Sequence, residues 1–464
     1  MSCQVTPTTA GRRRLLPALI VALSCAAPTI ALAQSTGGPG ATATRTMTID
    51  EAIDYAFKHR GELDAARQDV IVKEANNTQV NARFMPNVTG NASVNTGLAG
   101  SFQGLRLQGL SMSPYKNLIG GSVDARWDIF DFGRTVADSS AASFAIDAAR
   151  HGVTDLKRTV RFRVQDRYLH CLTLTAMSDL SRKHERGAEE ASRIAKAHAG
   201  AGLISRGDYD LAELQHLQAQ RMRMETERAE LACRRMLAAL IGLNGRLELV
   251  DVSDSQVQNA RAPSGLDGLL ETARKSRPDL AARKAAAEAL DRSVISAGLD
   301  HLPMLRAVGS LGYVLVDERV ATLIDNPHGN QHFYAVGVGL EVPIFEGGSI
   351  LARMKALQAQ RKAEMSLLAD LKRTVTAEVK TALHMWKVSS EQLQRARDEA
   401  KRAERVSNQA LARYKAGLVN VHRWTMARMI AFRSQVAHQR ARYGVLRAKA
   451  GLEMAMGDAK TLAR

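Results

Sequence analysis

Polar and apolar positions alternate along this chain with two different periods. Between Asn87 and Asn95 the odd positions are polar (Asn87, Thr89, Asn91, Ser93, Asn95), and Val88, Gly90, Ala92 and Val94 fill the even ones. From Gly121 to Ile129 one face holds Gly121, Val123, Ala125, Trp127 and Ile129, and the other Ser122, Asp124, Arg126 and Asp128. From Tyr334 to Val342, Tyr334, Val336, Val338, Leu340 and Val342 alternate with a face containing Gly337, Gly339 and Glu341. A period of two over about nine residues predicts strands with one apolar and one polar face. That pattern suits a membrane β-barrel, and equally a half-buried strand of a soluble sandwich.

Elsewhere the period is helical. Ile49–Arg83 and Leu266 to about Leu302 read as alanine-rich helices, the first opened by Asp50 and Glu51 and ended by Pro86. Arg134–Gly200 and Ser349–Ala416 read as much longer helices, and the second has 68 residues without Gly or Pro. At about 1.5 Å per residue it reaches roughly 100 Å. Each long helix meets a Gly-Leu pair and returns through about 40 residues. Helices beyond about 25 residues are coiled-coil-like struts. The spacing of Val375, Val379, Leu383 and Trp386 predicts one buried stripe between charged faces.

The elements come twice. Ile129-Phe130-Asp131-Phe132-Gly133 recurs as Ile344-Phe345-Glu346-Gly347-Gly348, Gly202-Leu203 as Gly417-Leu418, and Gly242 as Gly457, each 215 residues on. Leu63 and Pro86 recur as Leu280 and Pro303, 217 residues on. The chain therefore reads as two tandem copies of one unit, helix, two strands, long helical hairpin, over residues 48–242 and 266–457. Residues 34–47 and 243–265 read as linkers and 458–464 as a tail.

Composition narrows the class. None of the 11 prolines lies between Pro114 and Pro263 or after Pro343, and aromatics are only 5%. That disfavours a doubly wound sheet, a sandwich or a disulfide scaffold, and no nucleophile–base pair, P-loop or zinc spacing is found, so no enzyme is expected. Arg12, Arg13 and Arg14, the apolar run Leu15–Leu32 and the end Ala31-Leu32-Ala33 make residues 1–33 a signal peptide, cleaved after Ala33. Ala22-Leu23-Ser24 is a poor lipobox for Cys25, because its Leu stands one place too late. Cleavage removes three arginines and lowers the net charge from +17 to +14. Cys171 and Cys233 remain, both in helical sequence. Two small buried thiols are expected, with a bridge as the alternative, and no disulfide is needed for the fold. Past the signal no stretch reaches the roughly 18 apolar residues of a membrane helix.

Two strands per unit give four per chain. Four short strands cannot close a barrel, and an open edge in lipid costs several kcal/mol for each unpaired backbone group, of order that magnitude by any scale. Strands in a membrane would thus be shared between chains, with the helices continuing the barrel as a hollow tube.

Here the chain resembles the TolC-like outer-membrane efflux protein family. The resemblance rests on Thr48-Ile49-Asp50-Glu51-Ala52-Ile53, Ala82-Arg83-Phe84-Met85-Pro86, Asp128 to Gly133 and Ala201-Gly202-Leu203-Ile204-Ser205. In copy two it rests on Arg277-Pro278-Asp279-Leu280, Val342 to Gly348 and Arg413-Tyr414-Lys415-Ala416-Gly417-Leu418. It implies a mainly α fold with a membrane β-barrel portion: a coiled-coil-like helical barrel, and four strands per chain in a trimeric 12-stranded barrel. It also implies a homotrimer in the outer membrane that docks a periplasmic adaptor (membrane-fusion) protein and an inner-membrane pump, ABC or proton-driven. Export would be passive, of small molecules or, in type I secretion, of proteins, with no cofactor.

Candidate residues follow from the pattern and the resemblance. Gly202, Leu203 and Ser205, with Gly417 and Leu418, are the expected periplasmic tips and adaptor contacts, Gly allowing the positive φ of a tight reversal. The resemblance places Asp208, Arg423 and Met426 at the periplasmic aperture. Copy one keeps the acid six residues after its Gly, as Asp208. Copy two has Arg423, which would exchange an acidic ring for a cationic one and favour anions, or would pair with Asp208 in a latch. Trp127, Phe130, Phe132 and Phe345 stand where strand meets helix and suit an aromatic belt at the membrane interface. His328 and His332 sit four apart before a strand, but without a third ligand they make no metal site. The basic charge is spread along helices without aromatic platforms, so no nucleic acid is expected as partner. A periplasmic coiled-coil adaptor or scaffold is the alternative function; it has no need of amphipathic strands.

Overall fold

A computed structural model describes residues 44–95, 118–253, 257, 265–316, 330–416 and 418–457. The signal peptide with its cleavage point, most of the N-terminal linker, Gly417, His328 and the tail lie outside the described residues.

The unit begins with β1 (Thr44–Met47), α1 (Ile49–His59) and α2 (Gly61–Asn81), continues through β2 (Asn87–Asn95) and β3 (Leu118–Phe130), and ends in α3 (Arg134–Gly200) and α4 (Arg206–Ile241). The second copy has β4 (Arg246–Leu249), α5 (Leu266–Ser276), α6 (Pro278–Leu299), β5 (Met304–Val316), β6 (Asn330–Glu341), α7 (Ser349–Lys415) and α8 (Val421–Met456).

The first helix of each copy is broken, where the sequence predicts one continuous helix. Arg60 (ψ 119°) and Arg277 (ψ 119°) are both extended. Pro278 forces the residue before it out of the helical region and then suits the first turn of α6. Gly61, at the same place in copy one, is the weaker breaker. Thr48 and Glu51 close a reciprocal capping box on α1.

The long helices have the expected extent, 67 residues in both α3 and α7. Each starts after a glycine in the left-handed region, Gly133 (φ 89°) and Gly348 (φ 85°). Four helices lie abreast along the whole length. Towards the tips the order is α4–α3–α8–α7; towards the strands α2 and α6 replace α4 and α8, giving α2–α3–α6–α7. Two apolar cores mark the change-over. One joins α1, β1 and β4 to α3 and α4 through Met47, Ile53, Tyr168, Leu237 and Leu247. The buried Tyr168 hydroxyl donates to the Met47 carbonyl (2.8 Å) and accepts from the Val250 N–H (3.0 Å). The other joins α5, α7 and α8, and Val375, Val379, Leu383 and Trp386 are all buried in it as their spacing predicts.

Two findings depart from the sequence reading. Cys171 of α3 and Cys233 of α4 form a disulfide, with Cα atoms 5.6 Å apart, instead of two buried thiols. Their 62-residue separation hides a hairpin geometry that brings the two helices side by side at that level. Strands β1 and β4, in the stretches read as linkers, pair in parallel, Thr44 opposite Arg246 to Met47 opposite Leu249. Four residues are too few for a period to show.

The remaining strands form one antiparallel sheet, β2-β3-β5-β6, in which Thr89, Asp124, Ser310 and Ala335 stand in one row. The β3–β5 pairing joins the two copies, and the outer edges of β2 and β6 have no partner among the described residues.

Candidate functional site

The sheet sorts its side chains by face. Val123, Leu311, Tyr334, Val336, Val338 and Leu340 share one face and are exposed, Val336 at 89%. The other face is polar. There the Asp124 carboxylate accepts from Asn91 Nδ2 (2.5 Å), Ser122 Oγ (2.9 Å) and Ser310 Oγ (2.5 Å), and Arg306 pairs with Asp128 (2.7 Å) and Glu341 (3.0 Å). A hollow of about 750 Å³ opens on this polar face, lined among others by Asn87, Asn91, Asp124, Arg126 and Ser310. The sheet thus curls around its polar side and turns its apolar side outwards, as a barrel wall in lipid must.

Sheet and helices meet at the duplicated Phe-acid-x-Gly turn. Gly347 (φ 60°) and Gly348 (φ 85°) make it in copy two, Phe132 (φ 54°) and Gly133 (φ 89°) in copy one. A phenylalanine in the left-handed region costs about 1–2 kcal/mol relative to a glycine. Phe132 bears that strain while exposed, its ring tilted against Phe130 at 4.7 Å. Trp127 Nε1 donates to the Phe84 carbonyl (2.9 Å), and Phe345 is exposed. Asp131 fixes the turn by accepting from the N–H groups of Gly133 (3.1 Å) and Thr135 (2.7 Å).

At the other end the two hairpins turn side by side. Gly202 has φ 68°, and Leu203 N–H closes back on the His198 carbonyl (2.9 Å). In copy two Leu418 N–H closes on Arg413 in the same way (2.9 Å). Leu203 and Leu418 are 71% and 75% exposed. Ser205 caps α4, accepting from the Asp208 N–H (3.1 Å) and donating to the Asp208 carboxylate (2.8 Å). Asn420 caps α8 through the Arg423 N–H (3.0 Å). The Asp208 carboxylate therefore serves its own cap, and no ion pair links it to Arg423 within the described residues of the chain. A small core holds the tips together. Tyr414 stacks on Trp424 (5.1 Å), and Ala191, Ala195, Ala212 and Val421 surround them.

Behind the tips Arg428 of α8 reaches across to α3. It donates to the His184 carbonyl (2.9 Å) and lies over the Trp424 ring. The guanidinium occupies the space a side chain at position 187 would fill: a Cβ on Gly187 would stand 2.0 Å from it. Burial, with the Arg428 charge beside it, lowers His184 to about 4, and burial lowers Arg428 too. The sequence reading missed the Tyr414–Trp424 stack and this notch; the isolated Gly187 inside a long helix was their one visible signal.

The helical layer is concave as well. A hollow of about 760 Å³ touches α3 (Met177, Ser181), α4 (Met222), α7 (Gln392) and α8 (Arg433, Arg440). Since α4 and α7 are the outer helices of the four, a hollow reaching all of them lies inside the curve. Arg423 and Met426 belong to the same exposed stripe of α8 as Arg433 and Arg440. His332 lies within β6, beyond the loop expected for it, with its ring 4.7 Å from Tyr313. Among the described residues no group of three or more His, Cys, Asp or Glu is placed to hold a metal ion.

A family profile described as outer membrane efflux protein matches residues 52–243 and again 269–458. The chain belongs to the outer membrane efflux protein family. Over 473 residues it is 24% identical to the pyoverdine export outer membrane protein OpmQ of Pseudomonas putida, covering 96% of each chain. It is 20% identical over 335 residues to the outer membrane efflux protein BepC of Brucella suis, covering 71% of this chain and 68% of that one. The solved outer membrane protein VceC of Vibrio cholerae superposes with TM-score 0.73 at 17% identity, over 88% of this chain and 96% of that one. As a member of this efflux family the chain is an outer-membrane exit duct: the sheet is its membrane portion and the hairpins extend into the periplasm. No helix among the described residues is long and apolar enough to cross a membrane.

Proposed function

We propose that three copies of this chain close a 12-stranded barrel and a helical tube, and that the tube carries small molecules from an inner-membrane pump through a periplasmic adaptor to the cell exterior. The observation that carries this reading is the open sheet with a polar concave face and an apolar convex one. Unpaired edges in hydrocarbon cost several kcal/mol, in rough terms, for each backbone group, and copies of β2 and β6 from neighbouring chains satisfy them. An exposed apolar stripe on α4, Leu214, Leu217, Met224 and Leu231, lies on the outer helix of the four, where the next copy sits. Small-molecule cargo, in preference to type I protein secretion, is favoured by the names of the relatives, pyoverdine export and efflux.

Gly202, Leu203 and Ser205, with Gly417 and Leu418, form the adaptor-docking tips, and Asp208, Arg423 and Met426 surround the aperture. Trp127, Phe130, Phe132 and Phe345 anchor the duct at the periplasmic-side interface of the outer membrane; the strain at Phe132, where copy two has glycine, supports a role for its ring. The exposed Leu203 and Leu418 side chains are the contacts to test, because burying an exposed apolar side chain against a partner is favourable by roughly 1.5–3 kcal/mol. The double variant L203D/L418D is expected to assemble as a heat-modifiable trimer in the outer membrane but to lose adaptor-dependent export at least tenfold, about 1.4 kcal/mol per decade of binding. Undiminished export by the correctly assembled variant would refute the docking assignment, and a monomer in cross-linking of the wild type would refute the trimer.

A further inference from the structure

The two copies differ sharply in charge. Helix α4 balances six arginines with six carboxylates. Its counterpart α8 carries six arginines and one lysine from Val421 to Leu452 and no acid at all. Four of these seven cations have partners. Arg428 donates to the His184 carbonyl, Arg442 pairs with Asp251 (3.1 Å), Arg447 with Asp166 (2.7 Å) and Lys449 with Glu453 (4.0 Å). The side chains of Arg423, Arg433 and Arg440 have no ion pair or hydrogen bond among the described residues, and all three are exposed.

These three share one face. Steps of three and four residues connect Arg423, Met426, Ile430, Arg433, Ala437 and Arg440, so the arginines stand about 15 Å and about 10 Å apart along one stripe. Arg433 and Arg440 line the hollow that touches all four helices, which puts the stripe on the concave side. The acids in that hollow are Glu225 and Glu399. Glu399 accepts from Ser434 Oγ (2.8 Å), Glu225 lies 3.9 Å from Arg221, and Arg395 adds a further cation whose neighbour is Glu391. The excess at this level is positive, and Arg423 adds a further cation near the tip. Charges of one sign on a concave, low-dielectric wall focus the potential and raise the local concentration of the opposite ion.

We propose that the periplasmic half of the duct selects anions: Arg423, Arg433 and Arg440 form a ladder that passes oxyanionic small molecules, carboxylates or phosphates, from the tip towards the barrel. The inference rests on the duct reading, since in a closed trimer the ladder occurs three times around one lumen.

The test is reversal potential in planar bilayers under a potassium chloride gradient, with the full-length protein. The wild type is expected to be several-fold more permeable to chloride than to potassium. R433Q/R440Q should reduce that ratio towards one, and R433E/R440E should reverse the sign of the potential. Citrate on the helical side should block the wild type and fail to block R433E/R440E at the same concentration. Conducting pores that prefer potassium, or whose selectivity the variants leave unchanged, overturn the ladder and leave the duct standing. Absence of any conducting pore from the folded trimer overturns the duct reading itself. Conduction by a variant is its own proof of folding.

Discussion

Replacing Cys171 and Cys233 together by alanine is expected to lower the stability of the protein by up to about 4 kcal/mol while leaving its structure and export intact. The bridge closes a loop of 62 residues, and the chain-entropy estimate for a loop of that length is about 4 kcal/mol, with 2–5 kcal/mol typical for native bridges. The effect acts mainly on the unfolded chain, because α3 and α4 pack along their whole shared length without it. Both sulfurs are buried in the core around Tyr168 and Leu237. Reductant therefore reaches the bridge only when that core opens, and alanine, unlike serine, leaves no buried hydroxyl behind. Urea unfolding of the detergent-solubilised protein, with and without reductant, measures this. The variant should unfold at lower urea than the oxidised wild type and ignore reductant. Equal midpoints for wild type and variant would show that the bridge contributes nothing. The periplasm is oxidising, so the bridge can form and persist where this protein resides.

What could be read from the sequence was whatever has a period or a repeat. The long helices, the buried stripe Val375–Trp386 and the alternating strands all declare themselves over nine or more residues, and the 215-residue offset aligns Phe132-Gly133 with Gly347-Gly348. Those two turns prove to have nearly the same φ angles. What stayed hidden depends on one residue or on distance. The breaks at Arg60 and Arg277 hinge on a single Gly61 or Pro278 inside a helical pattern. β1 and β4 owe their existence to each other, 202 positions apart in register, and to the core below them. The cysteine pair follows from hairpin geometry; spacing alone favoured two buried thiols, with the bridge as the alternative. At the tips the sequence marked the turns but missed what holds them together, because the Tyr414–Trp424 stack joins two helices across the second hairpin turn and the Gly187 notch joins different copies. The lone cations of α8 were legible only one at a time. Arg423 stood out by alignment, whereas Arg433 and Arg440 became a set once the partners of the other arginines were known.

The break at Arg277 carries the second large expected effect. Arg277 is only 4% exposed. Its guanidinium pairs with Asp279 (2.6 Å) and Glu378 of α7 (2.5 Å) and donates to the Ala455 carbonyl at the end of α8 (3.1 Å). One side chain thus ties α6, α7 and the negative end of the α8 dipole together. Gly457 (φ 91°) closes α8 against it so tightly that a Cβ there would stand 2.8 Å from Arg277 Cα. Removing one partner of a buried ion pair typically costs about 3–5 kcal/mol, because the other charge stays behind. Arg277→Met is expected to cost that much at neutral pH. The copy-one equivalent, Arg60→Met, should cost about 1 kcal/mol or less, since among the described residues the Arg60 ion pair is with the exposed Glu62 alone (2.7 Å). The pH dependence follows from Asp279. Burial by itself would raise this carboxyl, but the hydrogen bonds and charge of Arg277, with Arg158 at 3.5 Å, outweigh it and hold the carboxyl below its ordinary value. A depressed carboxylate stabilises the fold above its unfolded pKa, near 4, and that contribution is lost as pH falls through the folded value. The gap between wild type and Arg277→Met should therefore be full at about pH 7 and shrink at about pH 3, below the unfolded carboxylate value, where Asp279 of the unfolded chain is mostly protonated. Urea midpoints at the two pH values decide it. A gap that is the same at both, or equal losses for the Arg60 and Arg277 variants, would mean that Arg277 acts by filling space and that its ion pairs add nothing.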